Sequence, residues 1–118
     1  MNKREVGTCY EEQAAVYLQH IGMELLWRNF RCHIGEIDLI LRDGDTLVFT
    51  EVKYRRTEDY GRGEVHVDKR KQRTIFRVAE EFLIRSFPDG NCPACRFDVV
   101  AIDGDGAVVH YPDAFWRE

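Results

Sequence analysis

Apolar residues first recur at helical spacing near the start of the chain. Ala14, Tyr17, Leu18 and Ile21 fall at i, i+3, i+4 and i+7, the stripe of an amphipathic helix. Thr8 is placed to cap that helix and Gly22 to stop it. LLWRNFR, residues 25–31, reads as a first strand. Residues 34–42 and 46–54 alternate as two further strands around Asp43-Gly44, a dipeptide suited to a type I′ turn. YRRTEDYGRGEV, residues 54–65, has two glycines, many charges and no period, and reads as a loop. Ile75, Phe76, Ala79 and Leu83 define a second helix from Asp68 to about Ser86, stopped by Pro88-Asp89-Gly90. RFDVVAI (96–102) and AVVHY (107–111) make a closing hairpin around DGDG. This order predicts an α/β or α+β layer with helices covering a mixed sheet.

At 118 residues the chain is expected to be one domain with its own core. A composition 44% hydrophobic and 32% charged fits an ordinary globular protein. No apolar run approaches the roughly 20 residues of a membrane helix. MNKREVGTCYEEQ lacks the apolar region of a signal peptide, so no membrane partner and a cytoplasmic location are expected. In that compartment the four cysteines are expected to be thiols.

The net charge of −4 argues against general nucleic-acid binding until its distribution is considered. Residues 52–77 carry nine Lys/Arg against four acids, a net of +5 on a body that sums to −9. A basic segment on an acidic body is the pattern of a localised polyanion contact, although charge runs are commonly just solvated.

The hairpin GEIDLILRDGDTLVFTEVK, residues 35–53, mixes core residues with Glu36, Asp38, Glu51 and Lys53. Side chains alternate along a strand, so Glu51 and Lys53 share a face, as do Glu36 and Asp38. With a two-residue loop at Asp43-Gly44, Arg42 faces Asp45, Asp38 faces Phe49 and Glu36 faces Glu51. All four charged groups then converge on one side. Half-buried carboxylates held together repel, and desolvation adds to the cost. One lysine cannot neutralise three acids. A divalent cation can, and hard oxygen ligands around an open position are what Mg²⁺ uses beside a phosphate. Asp38 and Glu51 would hold the metal, which lowers the pKa of an attacking water, while Lys53 offers a fixed cation to a phosphodiester oxyanion. The competing reading is a salt-bridge ladder in which Lys53 pairs with Glu51 or Glu36.

Asp38, a turn, then Glu51-x-Lys53 resembles the core of the PD-(D/E)XK nuclease superfamily. Over nearly the whole chain, Glu11-x-x-Ala14-x-x-Tyr17-Leu18, Gly22, Arg28-Asn29-Phe30-Arg31, GEIDLI, VFTEVKYR, Lys71-Gln72 and RFDVVAI resemble the YraN family of putative endonucleases, whose core is similar to that of Holliday junction resolvases. The resemblance implies a restriction-endonuclease-like α/β fold, a mixed sheet flanked by helices in three layers. It makes Asp38 and Glu51 the metal-binding acids, Lys53 the catalytic lysine, Glu11 the helix acid that faces the metal, and Gln72 the glutamine opening the second helix. CPAC (92–95) lies in a segment the family leaves variable, and Met23 stands where an aromatic is usual.

Other residues have two readings. Glu11 completes a capping box with Thr8, or points from the edge of the apolar stripe toward the sheet; Glu12, rotated roughly 100° away, is the solvated one. Gln72 lies on the core stripe, where it can bridge backbone groups or serve the site. Lys69, Arg70, Lys71 and Arg73 crowd a helix start, against the macrodipole, which points to a phosphate-rich partner. Tyr54 and Tyr60 can stack on bases or simply pack. Cys92 and Cys95 have zinc spacing, with Cys32-His33 as conceivable further ligands, but no second CxxC exists, so plain thiols are expected.

The expectation is a DNA endonuclease dependent on Mg²⁺ (or Mn²⁺), with Glu11, Asp38, Glu51 and Lys53 at its centre. Arg55, Arg56, Lys69, Arg70, Lys71, Gln72 and Arg73 would grip the nucleic acid. Resolvase-like relatives work in pairs, so a homodimer is plausible. The alternatives are a non-catalytic nucleic-acid-binding module on the same fold and a protein–protein adaptor.

Overall fold

The computed structural model describes residues 3–55 and 67–117. The order is α1 (Lys3–His20), β1 (Glu24–Cys32), β2 (Gly35–Asp43), β3 (Thr46–Arg55), α2 (Lys69–Ser86), β4 (Ala94–Asp103) and β5 (Val108–Phe115). The strands form one sheet in the order β1-β2-β3-β4-β5. All neighbours are antiparallel except β3 and β4, whose parallel pairing requires the crossover that α2 provides. The fold is α/β, a mixed five-stranded sheet with two helices.

Two apolar clusters place the helices on opposite faces. Ala14, Ala15 and Leu18 of α1 pack on Leu39, Leu41, Val48, Val100 and Ile102. Ile75, Phe76, Val78, Ala79 and Phe82 of α2 pack on Phe30, Ile37, Ile40, Leu47, Phe49 and Val99. Central β3 is covered on both sides, so Leu47, Val48, Phe49 and Thr50 are all buried, as expected of a strand inside a three-layer stack. Phe82 lies edge-on to Phe30 at 5.2 Å and to Phe49 at 5.9 Å, a geometry that ring quadrupoles favour.

Several sequence expectations need correction. The first helix starts at Lys3, so Thr8 lies inside it and not at its N-terminal cap. Ile21 is exposed, and Ala15 takes its place in the core. The hairpin register is Asp43↔Thr46 through Leu39↔Thr50, so the turn is Gly44-Asp45 and Asp38 does not face Phe49. Gly44 has φ 61° while Asp45 is not in the positive region. Glycine at the first central position with positive φ marks a II′ rather than a I′ turn. The second helix does begin after Asp68, whose carboxylate caps it by accepting from the Lys71 amide at 2.8 Å. The expected loop falls largely on residues 56–66, outside those described.

The alternation of side chains is also interrupted. Gly35 and Ile37 face α2, whereas Leu39 and Leu41 face α1; one strand cannot do both without a slip. In β1, Trp27 and Phe30 both reach Phe82 under α2, although they are an odd number of residues apart. The pairs Arg28↔Leu39 and Phe30↔Ile37 bracket the break, so Asn29 and Asp38 stand opposite each other at it. Asn29 has φ 51°, a left-handed conformation that asparagine tolerates better than most residues.

Gly35 is required by close packing of β2 on α2. A Cβ there would lie 2.7 Å from the Thr74 methyl and 3.5 Å from a Val78 methyl. Thr74 is β-branched and helical, and its hydroxyl donates to the Arg70 carbonyl, so its side chain has little room to turn. Gly35→Ala should therefore destabilise by about 1–3 kcal/mol in urea unfolding. Most of that loss should be recovered in Gly35→Ala/Thr74→Ala; strictly additive effects would contradict the packing account.

Candidate functional site

The break in alternation lies where β2 and β3 part. Their backbone pairing ends at Leu39↔Thr50, and beyond it the Val52 amide donates to Asp38 Oδ2 at 2.8 Å. Asp38 thus continues the ladder with its side chain, lodged at the fork between the strands. Glu51, next to Val52, is buried to 9% exposure. Extending the observed register one step places Asp38 opposite Glu51. The two-residue displacement of the turn preserves strand parity, so the expected convergence of Asp38 and Glu51 survives.

The pair is electrostatically unfavourable. Burial, then Glu51, push the Asp38 carboxyl up to about 8, with further contributions from Glu11 and Glu36, against the single stabilising Val52 bond. Burial also raises Glu51, opposed first by Lys71 and then by Lys53. Lys71 Nζ stands 3.5 Å from Glu51 Oε1, so the lysine closest to Glu51 comes from α2 rather than from the next position on its own strand. Lys53 has no ion-pair partner in contact distance among the described residues.

Glu36 does not face Glu51 across the strands and acts on it only through charge. It pairs with Arg31, its β1 neighbour, because the slip at Asp38 turns it away from α2. Glu11 projects from α1, acting on Asp38 and on Arg31 through charge. Among the described residues no three His, Cys, Asp or Glu side chains stand together closely enough to hold a metal. The donor set at the fork is therefore two carboxylates, which fits Mg²⁺, an ion commonly held by one or two carboxylates with water and substrate phosphate completing its shell.

The expected nucleic-acid contacts divide. Lys69, Arg70, Lys71 and Arg73 are exposed on the first turns of α2. Gln72 bridges backbone, donating from Nε2 to the Val67 carbonyl at 2.8 Å. Arg55 is 18% exposed and engaged with Asp103 at 2.7 Å and the Tyr111 hydroxyl at 3.3 Å. Arg56 and Tyr60 lie outside the described residues. Tyr54 stacks on Tyr10 of α1 at 4.5 Å, and Glu12, expected in solvent, pairs with Arg28. Cys92 and Cys95 are exposed free thiols.

Sequence reading gave no role to Asp98. It is fully buried on β4, accepting from Arg96 at 3.0 Å and 3.2 Å and from the Asp113 amide at 2.9 Å, with His110 at 2.7 Å. Burial raises its pKa, but His110, Arg96 and Asp113 outweigh that and leave it lowered. Arg96 also reaches Asp43 at 2.9 Å, tying the hairpin turn to β4. An aspartate inside an otherwise apolar VVAI strand was the available signal, since buried acids need several donors.

No helix of the described chain is long and apolar enough to cross a membrane. The family model described as uncharacterised protein family UPF0102 matches residues 10–102. A UPF0102 protein of Caldicellulosiruptor saccharolyticus is 47% identical over 102 residues, covering 86% of this chain and 85% of the relative. One of Alcanivorax borkumensis is 43% identical over 121 residues, covering 99% and 96%. A third, of Herminiimonas arsenicoxydans, is 48% identical over 99 residues, covering 83% and 77%. The match takes in the hairpin with its acids and runs from α1 into β4, and the chain belongs to the UPF0102 (YraN-type) family.

Proposed function

We propose that this protein is a nuclease of the PD-(D/E)XK type, with a restriction-endonuclease-like core, that hydrolyses phosphodiester bonds in DNA with Mg²⁺ or Mn²⁺. The observation that carries the reading is Asp38, an acid buried at a strand fork beside Glu51 with its carboxyl pushed up to about 8. Groups perturbed by burial and a like-charged neighbour cluster at functional sites. Asp38 and Glu51 would hold the cation, with Glu11 acting on it from α1 through water. The bound ion would lower the pKa of a water and neutralise phosphate charge. Lys53 is left to donate to a non-bridging phosphate oxygen. Lys69, Arg70, Lys71 and Arg73, with Arg56 outside the described residues, would hold the backbone on either side.

One observation favours the alternative of a nucleic-acid-binding protein without catalysis. Glu51 already has a cation beside it, Lys71 Nζ at 3.5 Å. Both readings require a polyanionic partner; only the first requires metal.

The titration of Asp38 gives a stability test. The unfolded carboxyl ionises near pH 4 and the folded one near 8. Between these values the unfolded chain releases a proton that the folded chain keeps, so the group costs the fold stability as pH rises from 4 to 8 and no more above that. Asp38→Asn keeps an oxygen for the Val52 amide. It should be more stable than wild type at pH 8 by on the order of 2 kcal/mol, a difference that vanishes toward pH 4 in urea titrations. Millimolar Mg²⁺ should raise the melting temperature of wild type at pH 8 but not of Asp38→Asn. A gap independent of pH would refute the assigned environment.

Activity is tested on linear, branched and single-stranded DNA with Mg²⁺ or Mn²⁺. Wild type should cut at least one of these, and Lys53→Ala should lose about 100-fold in rate while still binding. Binding that weakens steeply with salt, with no cleavage of any substrate, would establish the non-catalytic alternative.

A further inference from the structure

On the flank of α2 away from Lys71, a second basic site is built. Lys69, Gln72, Arg73, Phe76 and Arg77 line a cavity of about 350 Å³ that Trp116 and Arg117 close from the other side. The helical positions are i, i+3, i+4, i+7 and i+8, a single stripe, and Lys71 lies roughly 160–200° around the helix from Lys69 and Arg73. The pocket is thus distinct from the Asp38–Glu51 fork.

Its parts are held in place. Phe76 forms the floor, edge-on to Phe97 at 4.8 Å and 5.6 Å from Phe115. Arg117 pairs with Glu80 of α2, so the segment after β5 lies beside the helix. Trp116 is left with 66% of its surface exposed at the rim. Arg73 and Arg77 make no ion pair among the described residues.

Two requirements follow for a ligand. An exposed indole favours a planar aromatic ring. Two guanidinium groups without carboxylate partners among the described residues favour an anion, and their forked donors suit phosphate oxygens. An apolar ligand would leave the guanidinium groups unmatched, and a bare anion would leave the indole in water. The volume lies within the range of small-ligand pockets.

We propose that this pocket binds a nucleoside phosphate, the base stacked on Trp116 and the phosphate held by Arg73 and Arg77. The same chemistry comes from a free mononucleotide or from the terminal nucleotide of a DNA strand, and the strand-end source rests on the DNA reading above.

Trp116 is its own reporter once the other tryptophan is removed. In Trp27→Phe protein, indole fluorescence is titrated with dAMP, with a 5′-phosphorylated single strand, and with inorganic phosphate, all without divalent metal. Anisotropy of a labelled strand follows total DNA binding in parallel. Quenching by dAMP and the strand supports the site with a free-nucleotide source; quenching by the strand alone supports the strand end. In either case Arg73→Gln/Arg77→Gln should weaken the quenching titration about tenfold or more, and Glu51→Gln should leave it unchanged. Trp116→Ala should weaken strand binding about tenfold by anisotropy. DNA binding without quenching overturns this site and leaves the nuclease reading standing. Equal quenching by inorganic phosphate overturns the base contact. Absence of both signals overturns the site and the DNA reading together.

Discussion

A single hydrogen bond, from the Val52 amide to the Asp38 carboxylate, organises the end of this sheet. Beyond Leu39↔Thr50 the backbones of β2 and β3 no longer pair, and an amide left there without an acceptor would cost about 1–3 kcal/mol if buried. The side chain of Asp38 supplies that acceptor, so the strands can diverge without an orphaned donor. The slip of alternation at Asn29 and Asp38 then turns Ile37 toward α2 and Glu36 away from it. The acid is placed by the same event that ends the ladder, so fold and site share one cause.

Two buried aspartates show how environment separates structure from chemistry. Asp98 is surrounded by Arg96, His110 and the Asp113 amide and titrates below the usual range. Its charge is matched, its neighbours are held by it, and it links β4 to β5 and to the hairpin turn. Asp38 has one amide donor and an acid for a neighbour, and titrates far above that range. Burial is common to both; the number of donors decides the sign. A buried acid whose ionised form has one donor and an acidic neighbour is unsatisfied in a way that a cation relieves, and this is why Asp38 and not Asp98 is the candidate for chemistry.

What the sequence made legible follows from which signals are local. The extent of β2 and β3, the start of α2 near Asp68 and its apolar stripe depend on periodicity and on neighbours within a turn, and they were read directly. The start of α1 was misplaced because Thr8 looks like a cap only if the preceding residues are assumed non-helical. Asp43-Gly44 was read as the whole turn because Asp-Gly suits a I′ geometry, whereas Gly44-Asp45 forms a II′ turn whose register differs by two residues. Two is the period of a strand, so the facing of Asp38 and Glu51 was recovered despite the wrong partners. Glu36 was lost because a slip of alternation has no local signature beyond an Asn in β1. Lys71 reaching Glu51, and Trp116 reaching α2, are tertiary events that no spacing encodes.

The first turns of α2 carry a concentration of cations that helix electrostatics alone would disfavour, since they add to the positive end of the macrodipole. The helix tolerates them because Asp68 caps it, Gln72 ties it to Val67, and its apolar face is fully engaged with the sheet. Stability from packing thus offsets an electrostatic cost concentrated at one end. Those cations do not share one target: Lys71 stands beside Glu51 at the strand fork, while Arg73 and Arg77 line the cavity that Trp116 borders on the opposite flank. On a body of net negative charge, this end of α2 is where a polyanion would be attracted. A strand meeting it would find cations on both sides of the helix and an acid pair on only one, which is the asymmetry needed to distinguish holding a nucleic acid from acting on it.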